Sequence, residues 1–113
     1  MKELYMSIQL PKPIAAYFSA DTFDSEAVSM CFTENAVVKD EKHTYTGVGA
    51  IKQWKIDASK KYTYTTEPFA IEEKDGKTIV SSHLAGNFPG STVDLRYFFV
   101  LEGDKISSLE ITL

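Results

Sequence analysis

One cysteine, Cys31, and two histidines, His43 and His83, are the whole supply of thiol and imidazole ligands in this 113-residue sequence. A single cysteine excludes an internal disulfide, and so small a set argues against a structural zinc site. No apolar run approaches the ~20 residues that span a bilayer. The N-terminal stretch MKELYMSIQLPKP lacks both an apolar h-region and a small-residue cleavage site, so a cytoplasmic protein is expected. Positive charge is also in deficit. Twelve Lys and Arg stand against sixteen Asp and Glu, a net charge of −4, which disfavours nucleic acid and anionic membrane as partners. There is no glycine-rich phosphate loop, nucleophile elbow, metal-ligand cluster or dinucleotide fingerprint. Nucleotide chemistry, serine-triad hydrolysis and metal catalysis are therefore disfavoured, and no cofactor or metal is expected.

What remains is an ordinary globular composition, 43% hydrophobic and 25% charged. The length suits one domain, residues 1–113, able to bury roughly two-thirds of its unfolded surface. The hydrophobic period changes along the chain. The first sixty residues read mainly as helix and the last fifty as strand, which points to an α+β fold with helices packed on one side of a sheet. Helices are expected over about Pro11–Ala20, Ser25–Phe32 and Val48–Lys60. Pro11 and Pro13 suit a first turn, and Asp24 suits an N-cap. Ile14, Tyr17 and Phe18 share one helical face, Val28, Cys31 and Phe32 another, and Ile51, Trp54, Lys55 and Ala58 a third. A short strand, Ala36–Asp40, is expected between the second and third helices. Later strands are expected from Tyr62 through Ile71, over Thr78–Gly86, over Thr92–Leu101 and over Ile106–Ile111. Asp75-Gly76 signals a two-residue hairpin, and Asn87-Phe88-Pro89-Gly90 a type II turn.

Several of these segments resemble the nuclear transport factor 2-like superfamily and, within it, the SnoaL-like polyketide cyclase group. The residues are Ile14 to Phe18; Phe32, Ala36, Val37 and Val38 with Asp40 after them; Tyr45-Thr46-Gly47 with Ile51 and Trp54; and Gly86-Asn87-Phe88-Pro89-Gly90. The likeness covers residues 8–112. It implies a cone, in which a strongly bent, mixed, mostly antiparallel sheet wraps around three N-terminal helices and leaves an apolar pocket. It also implies a homodimer through the outer sheet face, and a small apolar molecule as ligand. Members include cofactor-free isomerases, cyclases and dehydratases, and also non-catalytic binding and interaction modules.

In the isomerase and cyclase relatives an acid at the first strand shuttles a proton, which makes Asp40 the candidate base. A carboxylate in an apolar cavity resists ionisation, so its pKa rises toward the working pH. The alternative is that Asp40 only begins the polar stretch Lys39–Lys42. Tyr17 is the candidate carbonyl donor, or else a packed core residue. His83 is a candidate second acid, although Ile79, Ser81, His83 and Ala85 form a face that the pattern assigns to neither side. His43 falls in a charged loop and is expected in solvent. Phe18, Phe32, Trp54, Tyr62, Phe88, Tyr97 and Phe99 are the expected pocket lining, with Trp54 packing beneath the sheet or closing the pocket. In the strand Thr92–Leu101, Leu95, Tyr97 and Phe99 alternate with Asp94, Arg96, Phe98 and Val100. If the first set faces the core, Asp94 faces outward and cannot serve as a second acid. Arg96, Phe98 and Val100 then mark the expected dimer surface.

Overall fold

Pro11 fixes φ at −53° ahead of the first helix, and no helical donor is lost to the prolines of the first turn. The computed structural model describes residues 9–21, 24–87 and 92–113. Helix α1, Lys12–Ala20, buries Pro13, Ile14, Tyr17 and Ala20. Helix α2, Ser25–Ser29, is capped by Asp24, whose Oδ1 accepts from Ala27 N–H at 3.0 Å. It is shorter than the pattern suggested. Cys31 N–H bonds back to Val28 O, and Cys31 O accepts from Ile106 N–H at 2.8 Å. Phe32 therefore leaves the helix and opens strand β1, Phe32–Asp40, beside Ile106. Val28, Cys31 and Phe32 are all buried, but across a helix-to-strand junction rather than along one helical stripe.

Strand β2, His43–Thr46, adds an element to the expected order and takes His43 out of the loop expected for it. It pairs antiparallel with β1, from Val37 opposite Thr46 to Asp40 opposite His43. Glu41 and Lys42 make the turn with φ of 52° and 68°. Both central residues of this hairpin turn are left-handed, a conformation usually given to Gly or Asn. Helix α3, Val48–Lys61, buries Ile51, Trp54 and Lys55.

Four strands follow: β3, Tyr64–Lys74; β4, Lys77–Gly86; β5, Thr92–Glu102; and β6, Lys105–Thr112. Asp75 and Gly76 form the expected hairpin with φ of 54° and 77°. Tyr62 is not in β3; it caps the C-terminus of α3, donating its N–H to Ala58 O at 2.9 Å. Residues 88–91 lie outside the described residues, and with them Phe88 and most of the expected type II turn.

The sheet order is β2-β1-β6-β5-β4-β3, giving the element order ααββαββββ. Strands β1 and β6 are parallel; every other neighbouring pair is antiparallel. Strand β3 lies at one edge, the place in a sheet where a proline such as Pro68 is tolerated, and its register with β4 shifts between Pro68 and Ala70. The sheet's inner face supplies Val38, Val80, Leu84, Tyr97, Phe99 and Leu109 to the core around α1 and α3. This is an α+β cone of three helices held within a mixed sheet. Among the described residues no helix is long and apolar enough to cross a membrane.

Candidate functional site

Strand alternation decides where Asp40 goes. Ala36 and Val38 are buried on the inner face, so Asp40, two residues further, turns inward as well. Trp54, one helical turn after the buried Ile51, reaches it from α3, and its Nε1–H donates to Asp40 Oδ2 at 3.0 Å. Tyr45 of β2 stacks on Trp54 at 5.9 Å, so the unforeseen hairpin helps to hold the indole. Burial raises the Asp40 pKa. The Trp54 hydrogen bond acts against that shift and neighbouring Glu41 reinforces it.

Tyr17 projects from α1 into the same region and is 1% exposed. Its ring meets Phe18, Phe32, Tyr97 and Phe99 edge-on, with centroids 5.2 to 6.2 Å apart. Burial, and then the negative charge of Asp21, push its hydroxyl well above the ordinary phenol value. Tyr97 is raised in the same way. Both stay protonated and can only donate to an anionic oxygen.

Three residues outside the expected set complete the cluster. Asp21, directly after α1, is 3% exposed and forms an ion pair with Lys55 of α3, also 3% exposed. Lys55 Nζ also donates to Tyr64 OH at 3.1 Å, and Tyr64 OH donates to Asp21 Oδ2 at 3.3 Å. Burial alone would lower the Lys55 pKa, but the charge and hydrogen bonds of Asp21 and Tyr64 together outweigh it and the net direction is up. Lys55 is therefore an ammonium at neutral pH. Tyr64 is raised by burial despite the pull of Lys55. One signal for this cluster lay in the sequence, a lysine on the apolar helical face of Ile51 and Trp54. Its counter-ion is 34 residues away, beyond the reach of any local pattern.

The motif that begins at Gly86 sets Tyr64 in place. A Cβ at Gly86 would lie 2.4 Å from Thr63 O and 2.7 Å from Tyr64 Cβ, so only glycine lets β3 approach so closely. Asn87 then grips the same backbone: its N–H donates to Thr63 O at 3.1 Å, and its Oδ1 accepts from Thr63 N–H at 2.9 Å.

The structure thus brings together Tyr17, Asp40, Trp54 and Tyr97. Phe18 is half-buried against Tyr97 and Phe99, while Phe32 and Phe99 are fully packed core. Tyr62 stands at the end of α3 with Lys61 Nζ 5.3 Å from its ring centroid. His83 is a correction. It lies on the outer face, exposed, with Nδ1 2.5 Å from Asp94 Oδ1 and its ring stacked on Phe69 at 4.1 Å. Because Ile79 and Val80 are both apolar, alternation alone could not choose its face; pairing with the outward Asp94 does. His83 cannot face Asp40. Asp94 and Arg96 are exposed, opposite the inward Tyr97 and Phe99, as alternation requires.

Two cavities lie elsewhere. One, of about 320 Å³, is bounded by α1, α2 and Asp104; the other, of about 280 Å³, sits on the outer sheet around Phe98. Neither is lined by Asp40 or Tyr17. Among the described residues no three His, Cys, Asp or Glu side chains converge as metal ligands.

No family model and no curated protein matches the chain. Solved structures do. A Sinorhizobium meliloti protein assigned as a polyketide cyclase is 38% identical, with a TM-score of 0.87 over 96% of this chain and 98% of that one. A protein from Catenulispora acidiphila with a ketosteroid isomerase-like fold, in complex with trimethylamine, has a TM-score of 0.84 at 17% identity, over 93% of this chain and 87% of that one. A nuclear transport factor 2-like protein of unknown function from Cytophaga hutchinsonii has a TM-score of 0.69 at 17% identity, over 95% and 93% of the two chains.

Proposed function

The chain belongs to the SnoaL-like polyketide cyclase group of the nuclear transport factor 2-like superfamily, and from that premise we propose that it binds a small, mostly apolar molecule inside the cone and moves a proton on it without a cofactor. Isomerisation, aldol-type cyclisation and dehydration all fit that chemistry. The observation that carries the reading is Asp40, an inward carboxylate whose burial raises its proton affinity and whose Oδ2 is fixed by Trp54. A carboxylate so placed is a stronger base than one in water, and a pKa raised toward the working pH suits a group that must both take a proton and give it back. Oδ1 is the proposed acceptor of a proton from carbon beside a carbonyl. Tyr17, held protonated by burial, is the proposed donor to the carbonyl oxygen as negative charge develops there.

Asp40→Asn keeps the size of the side chain and leaves an amide oxygen to accept from Trp54. The expected result is an intact fold and retained ligand binding, with turnover lower by about 100-fold or more. A variant that binds and turns over normally overturns the role of Asp40. One that fails to fold makes Asp40 structural. The dense ring packing of Tyr17, Phe32, Tyr97 and Phe99 favours the second reading, a non-catalytic binding or interaction module. That reading predicts binding without turnover in the parent protein. Either form is proposed to be cytoplasmic and to pair with a second copy through Arg96, Phe98 and Val100.

A further inference from the structure

Lys55 offers more than proton transfer at Asp40 requires. Its Nζ lies 4.6 Å from the ring centroid of Trp54 and 5.8 Å from those of Tyr17 and Tyr64. Trp54 and Tyr17 fall within the ~6 Å reach of a cation–π attraction, while Tyr64 meets the ammonium through its hydroxyl. The Asp21 carboxylate closes the remaining side. Two rings, a phenol hydroxyl and one carboxylate would suit any small desolvated ammonium. Here helix α3 delivers the ammonium on the chain's own side chain.

We propose that Lys55 is the tethered occupant of an amine-sized cation site, and that by filling it the protein excludes amines and quaternary ammonium compounds and restricts its interior to neutral or anionic ligands. The inference rests on the small-molecule reading above and names the ligand class. A second cation brought against Lys55 finds the Asp21 carboxylate already paired and meets like charge in a partly desolvated place. A carbonyl or enolate oxygen meets the opposite field. Two of the three ammonium hydrogens are taken by Asp21 and Tyr64, which leaves one for such an oxygen.

Truncating Lys55→Ala removes Cγ, Cδ, Cε and Nζ, the heavy atoms of n-propylammonium. Adding n-propylammonium chloride should raise the urea midpoint of this variant. The folded-to-unfolded ratio should grow about tenfold at ten times the dissociation constant. Equal 1-propanol, or equal sodium chloride, should do nothing. The wild type and Lys55→Arg should respond to none of them. Trp54 is the sole tryptophan, so its fluorescence reports occupancy directly. Rescue by 1-propanol as strong as by the amine would show a site that reads size and not charge, and would overturn the proposal. So would absence of rescue, or amine binding by the wild type. If Lys55→Ala does not fold even with amine present, Asp21→Asn with Lys55→Ala leaves no unpaired buried charge and keeps the three rings. Tetramethylammonium should then change Trp54 fluorescence where neutral neopentyl alcohol does not; no such response overturns the proposal. Success here beside an Asp40→Asn variant with unchanged turnover would retire the catalytic reading alone. Failure here beside Asp40-dependent turnover would retire the cation site alone.

Discussion

Lys55 and Asp21 together illustrate what a buried charge asks of its neighbours. Taking both ions out of water costs several kcal/mol each, and only close pairing with further hydrogen bonds offsets it. Tyr64 supplies those bonds to both partners. Lys55→Met, which removes one charge and keeps the volume, should therefore cost about 3–5 kcal/mol in urea unfolding. Adding Asp21→Asn should recover most of that loss, because no unpaired charge remains. Asp40 has the opposite character. Its pKa is raised in the folded state, so folded protein holds that proton more tightly than unfolded protein does. Between the unfolded and the raised folded pKa, stability then falls as pH rises. Asp40→Asn should remove that part of the slope and leave the protein more stable than the wild type at neutral pH, as urea midpoints across the acid range would show. Asp40 was legible in the sequence as a candidate, two residues beyond Val38, but its place at the start of a polar stretch left its face open until Trp54 was seen to reach it. Lys55 was half legible, as a lysine among apolar neighbours, but its partner was not.

Elements show where local pattern stops. Val28, Cys31 and Phe32 have helical spacing, yet α2 ends at Ser29 because Cys31 and Phe32 find β6 partners far along the chain. Strand β2 carries no local signal, because its turn is built from Glu41 and Lys42 rather than from the Gly or Asn that usually marks such a turn. The Gly86-Asn87 pair was conspicuous in sequence, and its purpose emerges only where β3 presses on β4. Gly86→Ala should force the strands apart, cost about 1–3 kcal/mol, and loosen Tyr64 from Lys55. Hydrogen exchange of the first β3 amides should rise more than that of β6; uniform protection across the sheet would count against this account.

Over the whole molecule, alternation in β5 separates an interior from an outer face. Tyr97 and Phe99 are buried, while Phe98 lies half-covered on the outside with Arg96 stacked 5.2 Å from its ring centroid. An aromatic–arginine patch on a sheet face is the composition of an interface core. The proposed homodimer predicts that Phe98→Asp sediments as a monomer where the wild type sediments as a dimer, with the helical content unchanged. A wild type that is monomeric at micromolar concentration would remove the dimer from the proposal.

The α+β class, the shared face of Trp54 and Lys55, and the opposition of Asp94 to Tyr97 and Phe99 follow from the amino-acid order alone, which offered Asp40 as an inward carboxylate without settling it. Each of these follows from a period of two or of 3.6 residues, a short-range property that any stretch of chain carries with it. Only the tertiary structure decided that β1 lies parallel to β6, that His83 faces away from the interior, and that Asp21, Lys55 and Tyr64 meet. Those contacts join residues from distant parts of the chain, and the pairing that offsets the cost of desolvating them exists only once the sheet has closed around the helices.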